Sequence, residues 1–270
     1  MVITNNDITQ KTYKKLSIQV SLSGLSFCVF DLFSNKIITT MLINFEKNKV
    51  VEEQLWRTFV DYPILTKSYD EVMVVHDNNL NALVPTSLFD ANFLASYLQY
   101  NTKVFETDFF TYDVVFPYEM NNIYVPFVNI NNFLLDQYET FEYQNANSIL
   151  VKQLLNLSKN KEEKQVFVHI QKEHFELIVV KNQQLILFNS FQYKTPEDFI
   201  YYILFTFEQL QLNPETILVQ ILGNCSEDGA CFKIAFQYIR NCSLLDVTSK
   251  ASILDVTPTA LRNHFILYHS

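Results

Sequence analysis

The stretch Lys164–Leu210 constrains the chain more than any other, because it reads as three strands and a helix with little room for a second interpretation. In Val166, Val168 and Ile170 the apolar residues alternate with Phe167 and His169, the period of a strand with one apolar and one mixed face. Gln171–Lys172–Glu173–His174 is polar and short enough to turn a hairpin, after which Phe175, Leu177 and Val179 resume the alternation. Lys181–Asn182–Gln183 turns again into Gln184–Phe191, where Leu185–Phe188 is apolar on both faces. Thr195 is placed to cap a helix, Pro196 fits its first position, and Glu197 and Asp198 suit the positive end of the dipole. Phe199, Ile203, Phe207 and Leu210 then mark one helix face.

The same order is expected near the start of the chain. Leu16–Leu22, Leu25–Phe33 and Ile37–Phe45 alternate as strands. Val51, Leu55 and Phe59 mark a helix that ends at or before Pro63, and Glu71–Val75 is a fourth strand. Shifted by 150 residues, Ile18 falls on Val168, Val20 on Ile170, Phe27 on Leu177 and Val29 on Val179. The pattern matches although the identities do not, which predicts two similar lobes. Ser158–Lys164 is the most polar stretch and the best candidate linker, dividing the chain into lobes 1–158 and 159–270.

Between these units, Leu83–Pro85 reads as a short strand. Ser87 with Asp90 is a capping-box-like start for a helix through Phe93 and Leu98. Tyr112–Phe116 and Ile123–Val128 read as a strand pair, and Asn131–Tyr138 and Asn147–Leu157 as helices. In the second lobe, Thr216–Leu222 and Leu244–Val247 are expected strands, with a helix from Ser226–Asp228 through Ile239 between them. Thr257–Arg262 reads as a helical turn.

Composition excludes several functions. Three glycines in 270 residues are too few for the close backbone approaches that phosphate cradles use. A net charge of −9 with no basic face speaks against nucleic acid and anionic membranes, since Lys11, Lys14 and Lys15 form the one local cluster. Met1–Thr12 has no apolar leader, and the longest apolar run, Phe199–Phe207, is far short of the ~20 residues that span a bilayer. The expectation is a soluble, cytoplasmic protein. Cys28, Cys225, Cys231 and Cys242 contain no C-x-x-C pair and read as buried reduced thiols.

Two lobes of order β-β-β-α-β-α form the arrangement of the actin-like ATPase, or ribonuclease H-like, superfamily. The chain also resembles a bacterial domain-of-unknown-function family of that superfamily. The residues that carry the resemblance are Leu83–Asp90 (LVPTSLFD), Ile123–Val125 with Pro126, and Ser148–Leu155. The fold class implied is α/β with mixed α+β character, each lobe built on a mixed sheet. Relatives include the actin-like scaffolds of pilus assembly and secretion systems, some of which need no ATP. The superfamily's ATPases place an Asp at the first hairpin of each lobe beside glycine-rich turns. Here Val20–Gly24 (VSLSG) has no Asp, and Ile170–His174 (IQKEH) has neither Asp nor Gly. Of the adenine-side glycine pair, Gly223 alone remains near Leu222–Asn224.

The resemblance therefore implies a non-catalytic binding or scaffold protein, with no cofactor and an unknown protein partner or self-association. Two alternatives stay open, an ATPase with diverged phosphate loops and a small-molecule pocket between the lobes. No catalytic, cofactor-binding or metal-ligating residue is assigned. His169, His174 and Glu176 can approach a common metal on a hairpin, but a mixed sheet face and a turn account for the two histidines. His76–Asp77 ends a strand, where a loop-start hydrogen bond is the simpler reading. Cys225 has no His or Lys neighbour in sequence to activate it, and Asp31 alone does not make a two-metal site. The aromatic excess, 24 Phe and 15 Tyr, points mostly to core. Tyr201 and Tyr202, and the cluster Tyr112, Phe116, Tyr118, Tyr124 and Phe127, are candidates for an exposed interaction patch.

Overall fold

A computed structural model describes residues 11–100, 102–105 and 107–270, so most of the expected N-terminal lead-in lies outside the described residues. In chain order the elements are β1 Lys14–Ser21, β2 Gly24–Asp31, β3 Lys36–Asn44, α1 Val51–Asp61, β4 Glu71–His76, β5 Asn81–Pro85, α2 Leu94–Leu98, β6 Thr111–Val114 and β7 Met120–Tyr124. They continue as α3 Val128–Tyr138, β8 Glu142–Asn145, α4 Ala146–Leu157, β9 Gln165–Ile170, β10 His174–Lys181, β11 Gln184–Gln192 and α5 Pro196–Gln209. The chain ends with β12 Leu218–Gly223, α6 Ala230–Tyr238, β13 Asn241–Leu244, α7 Thr248–Leu254 and α8 Pro258–Asn263.

Two five-stranded sheets share one topology, β3-β2-β1-β4-β8 and β11-β10-β9-β12-β13. In each, the first three strands are antiparallel and the last two join in parallel. The predicted repeat holds at the level of register. Leu16 pairs with Val29 and Ile18 with Phe27, while Val166 pairs with Val179 and Val168 with Leu177, each set 150 residues apart. Both sheets also carry a bulge at the same place, between Val29 and Phe30 and between Val179 and Val180. The extra residue is Ile38 in β3 and Ile186 in β11.

The layers follow from which faces are apolar. On the outside of the first sheet, Leu16, Ile18, Phe27 and Val74 pack against Leu55 and Phe59 of α1 and Ile130 and Leu134 of α3. Outside the second sheet, Val168, Phe175, Leu177 and Val219 pack against α5 and α6. Thr195 caps α5 as expected, closing a capping box with Asp198, with Pro196 at the first position. Between the sheets lies the third and largest core. Phe30 and Val75 of one sheet and Phe167, Ile178 and Leu222 of the other close on α4, α7, α8 and the C-terminal turn. Leu150, Leu154 and Leu155 of α4 are fully buried there, each worth about 1.5–3 kcal/mol of burial. Among the described residues, no helix is long and apolar enough to cross a membrane.

Several elements depart from the sequence expectation. β8 and α7 carry no strong pattern of their own and are not among the expected elements; both lobes keep the expected β-β-β-α-β-α order, which β8 and α4 extend in the first and β13 and α7 in the second. The helix expected from Ser87 is two 3-10 turns followed by α2, because Asp90, not Ser87, supplies the cap by accepting the Asn92 N–H. The segment after Phe127 turns into α3 instead of extending the strand to Val128. β13 precedes the expected Leu244–Val247, since Leu245 and Val247 bury themselves in the turn into α7. Lys14 and Lys15 open β1 instead of belonging to a solvated tail. Ser158, at the head of the expected linker, is buried and donates to Leu155 O while accepting the Gln183 N–H.

Residues 77–127, between β4 and α3, form an insertion with its own sheet, β5-β7-β6. A buried polar network fastens it to the N-terminus of α4. Asp113 on β6 accepts from Tyr124 Oη (3.1 Å), Asn145 N–H (2.8 Å) and Ser148 Oγ (2.5 Å). Asn145 caps α4 and also accepts from Asn122 Nδ2, which reaches Ser148 as well. Asn81 and Asn147 extend the chain of carboxamides. Burial raises the Asp113 carboxyl to about 6 against three hydrogen bonds that lower it. Replacing Asp113 with Ala orphans three buried donors and is expected to cost about 3 kcal/mol in urea unfolding. A loss under about 0.5 kcal/mol would mean the network does not hold the insertion.

Candidate functional site

The parallel strands of both sheets end at one crevice, the usual place for a ligand in open α/β sheets. Ser21, Ser23 and Gly24 of the β1–β2 hairpin line it from the first lobe, and Ile170, Gln171 and Lys172 of the β9–β10 hairpin from the second. Asp77, Asn224 and His264 complete its floor and end. Its volume is about 240 Å³, below the roughly 300–1,000 Å³ usual for small-molecule sites.

Asp77 follows β4 and is held in line with β1 by its N–H, which donates to Val20 O at 2.9 Å. Gln19 Nε2 donates to Asp77 Oδ2 at 2.9 Å, and Gln171 Nε2 reaches both carboxylate oxygens at 3.3 and 3.4 Å. One carboxamide from each lobe thus closes on a single carboxylate. Burial raises the Asp77 carboxyl above the usual carboxylate range, and the Gln19 hydrogen bond opposes that rise. At the mouth, Lys47 Nζ meets Glu173 at 2.6 Å across the lobes, an exposed pair worth little by itself.

Two of the hairpin amides are likewise engaged at home. Ser23 N–H donates to Ser21 Oγ at 3.2 Å, and Gln171 N–H to His174 O at 2.9 Å. A phosphate needs such amides free and aimed at it. The two glycines nearby serve backbone packing. A Cβ on Gly24 would lie 2.5 Å from Ile43 O. One on Gly223, whose φ is +87°, would lie 2.3 Å from Ile170 O and 3.0 Å from the His169 ring. The neighbouring Asn224 N–H donates to Ile170 O at 2.7 Å, stitching β12 to β9.

Beneath the second hairpin, His169 and Glu176 face each other across β9 and β10. His169 Nδ1 lies 2.7 Å from Glu176 Oε2. His174 Nε2 lies 3.0 Å from Oε1, an ion-pair distance at an angle poor for a hydrogen bond. The residues weighed for a metal therefore do converge, but on one another, with Glu176 as the centre. Among the described residues, no group of three or more His, Cys, Asp or Glu side chains is arranged to hold a metal ion. Burial alone would raise the Glu176 carboxyl; the two imidazoles overcome it and hold the group at about 2. Burial works against charge on His174, yet Glu176 keeps its pKa above the usual value.

The other candidates are dispersed. His76 is fully buried, and its Nδ1 accepts from Phe127 N–H at 3.2 Å, with burial lowering its pKa to about 4. Burial pushes the Cys225 thiol up to about 12, away from a nucleophile's range. Asp31 is the last residue of β2, at the end of the strand away from the crevice, accepting the N–H groups of Phe33 and Ser34. Of the aromatics, Tyr124 is fully buried, whereas Phe116 and Tyr201 are exposed. Sequence reasoning missed Gln19 and Gln171 because a carboxamide on a strand or turn carries no chemical signature of its own. It missed Asp113 because its partners are spread over 35 residues of chain.

The family model described as "Protein of unknown function (DUF3822)" matches residues 3–242. The chain belongs to that family. No curated protein matches it by sequence. A crystal structure from Bacteroides thetaiotaomicron, described as a protein with an actin-like ATPase fold and unknown function, is similar with a TM-score of 0.80 at 20% identity. The similarity covers 92% of this chain and 98% of that one. The structure described as the PilM-PilN type IV pilus biogenesis complex is similar with a TM-score of 0.62 at 10% identity, over 94% and 97% of the two chains. The fold is thus actin-like, with two lobes on mixed sheets, as the resemblance implied. Residues 243–270 lie beyond the family match, yet Leu261, Phe265 and Leu267 are central to the core between the sheets.

Two outcomes follow from this geometry. Gly223→Ala combines a positive φ with a backbone clash and is expected to cost at least about 2 kcal/mol by urea unfolding; a neutral result would refute the packing role. Glu176, held below its unfolded value, gives stability that is present above pH ~4.5 and lost as pH falls toward 2. His174, held above its unfolded value, gives stability present below pH ~6.5 and lost as pH rises through its raised pKa. Glu176→Gln is therefore expected to cost about 3 kcal/mol near pH 6, with the gap to the parent narrowing as pH is lowered toward 3. A gap independent of pH would sink this account.

Proposed function

We propose that this protein is a non-catalytic actin-like protein, with lobes 1–158 and 159–270, that works by holding a protein partner or a second copy of itself. The observation that carries this reading is the closure of the crevice on itself. Asp77 is occupied by Gln19 and Gln171, and the amides of Ser23 and Gln171 donate within their own hairpins. A Mg²⁺ shell needs carboxylate oxygens free of such donors, and a phosphate needs open amides. Neither hairpin brings a carboxylate into the crevice: Glu173 is turned to Lys47 at its rim. No cofactor is assigned, and the cell interior is the proposed location. A partner-bound state has a precedent of fold in PilM, whose structure is described as a complex with PilN.

The test is calorimetric titration of the full chain with Mg-ATP, with a parallel thermal-shift scan. No heat and no shift at millimolar nucleotide are expected. A dissociation constant near micromolar, about −8 kcal/mol, would overturn the reading, because the crevice would then have to open its own hydrogen bonds to admit phosphates.

A further inference from the structure

A second concavity lies away from the crevice, beside β13. This strand is the outermost of its sheet and, among the described residues, pairs only with β12. Leu245 N–H continues that pairing by donating to Ile221 O, so the other edge of β13 faces outward unpaired. Along that edge runs a groove of about 630 Å³ with an apolar wall of Phe232 and Phe236 of α6 and Cys242, Leu244 and Leu245, and it is also lined by Glu227, Lys233, Asp246 and Arg262. Phe236 stacks on Phe232 at 6.0 Å yet remains 61% exposed. An aromatic pair left open beside an unpaired strand is a surface that a further strand with an apolar side chain would cover.

Charge identifies the end of the groove. Arg262 of α8 stands where β13 turns toward α7. Its Nη1 donates to Leu245 O at 3.3 Å and its Nη2 to Thr259 Oγ1 at 3.4 Å, both long, while its Nε is buried without a partner, so a ligand would meet the Nη atoms. Among the described residues, no carboxylate lies within ion-pair distance of this guanidinium. Asp246, which lines the same groove, accepts Thr248 N–H through Oδ1 at 3.0 Å, and that bond first, with the Arg262 charge a lesser cause, lowers its pKa. A guanidinium offers a planar fork that a carboxylate fills with two charge-assisted hydrogen bonds.

We propose that this groove binds the C-terminal end of an extended partner segment, which adds to β13 as a further strand, sets an aliphatic or aromatic side chain over Phe232 and Phe236, and gives its terminal carboxylate to Arg262. This rests on the partner-binding reading above and names the site and chemistry of the partner. A chain end fits better than an internal segment because β13 is four residues long, room for roughly 13 Å of added strand, and the path beyond it is closed by the turn into α7.

The experiment is an array of random hexapeptides, synthesised in parallel with free C-termini and as C-terminal amides, probed with the purified full chain. Sequences retained on the array are then titrated by fluorescence polarisation. Binding by free-acid peptides with Leu, Ile, Val or Phe in the last two positions is expected, weakened at least tenfold by amidation. Phe236→Asp and Arg262→Met are each expected to weaken it at least tenfold, whereas Leu88→Ser, exposed on the insertion, leaves it unchanged. Phe236→Asp carries the test if Arg262→Met does not fold. No selective free-acid binding, equal binding of the amides, or binding untouched by Phe236→Asp would overturn the proposal. A silent Mg-ATP titration with a failed peptide assay removes the groove and leaves the non-catalytic reading standing. ATP binding together with peptide binding does the reverse.

Discussion

The apolar layer between the two sheets is the constraint on which the rest depends. Phe30 and Val75 on one side and Phe167, Ile178 and Leu222 on the other close on the same helices, so neither inner face is buried without the other lobe. α4 supplies the middle of this layer, and the segment from Ala251 to Tyr268 supplies its lower half. Thr40 Oγ1 meets Tyr268 Oη at 2.8 Å, and Lys15 Nζ donates to Ser270 O at 2.9 Å, so the last residues are tied to the first sheet although they follow the second. A chain built this way folds both lobes against a common filling, and the position of the crevice follows from that filling.

Much of this was legible from residues alone. The alternation in Val166–Ile170 and Phe175–Val180 and the Thr195–Pro196 start of α5 are local signals, and the structure places each where its pattern lies. The duplication was legible because register is a property of alternation, which survives when identities change. β8 and α7 were not, since EYQN and TSKASIL owe their conformation to neighbours: β8 to β4, and α7 to a buried Ala251 and Leu254. The crevice was legible in what it lacks, the Asp and Gly of the two hairpins, but its actual chemistry was not. Gln19, Asp77 and Gln171 meet only after both lobes have closed, and no spacing in the chain announces them.

The crevice and the His169–Glu176–His174 group illustrate how a site with titratable side chains can be structural. Glu176 is met by His169 at 2.7 Å and by the charge of His174 at 3.0 Å, and Asp77 accepts from two sides. The glycines are answered too, by backbone atoms that leave no room for a Cβ. What remains open lies elsewhere, on the exposed faces of α6 and on the insertion, where Leu88, Tyr100 and Phe116 stand in solvent.

The twin bulges have a consequence for how the molecule can associate. A bulge adds local twist and breaks the even spacing of unpaired backbone groups along a strand. Ile38 and Ile186 place this break in β3 and β11, the two long edge strands of the sheets. Both strands are rich in apolar residues and poor in charge over their length, the composition that ordinarily invites edge-to-edge growth. By kinking each at the same register, the fold turns its two most adhesive borders into poor templates and leaves regular strand addition to the short, unbulged borders of β8 and β13.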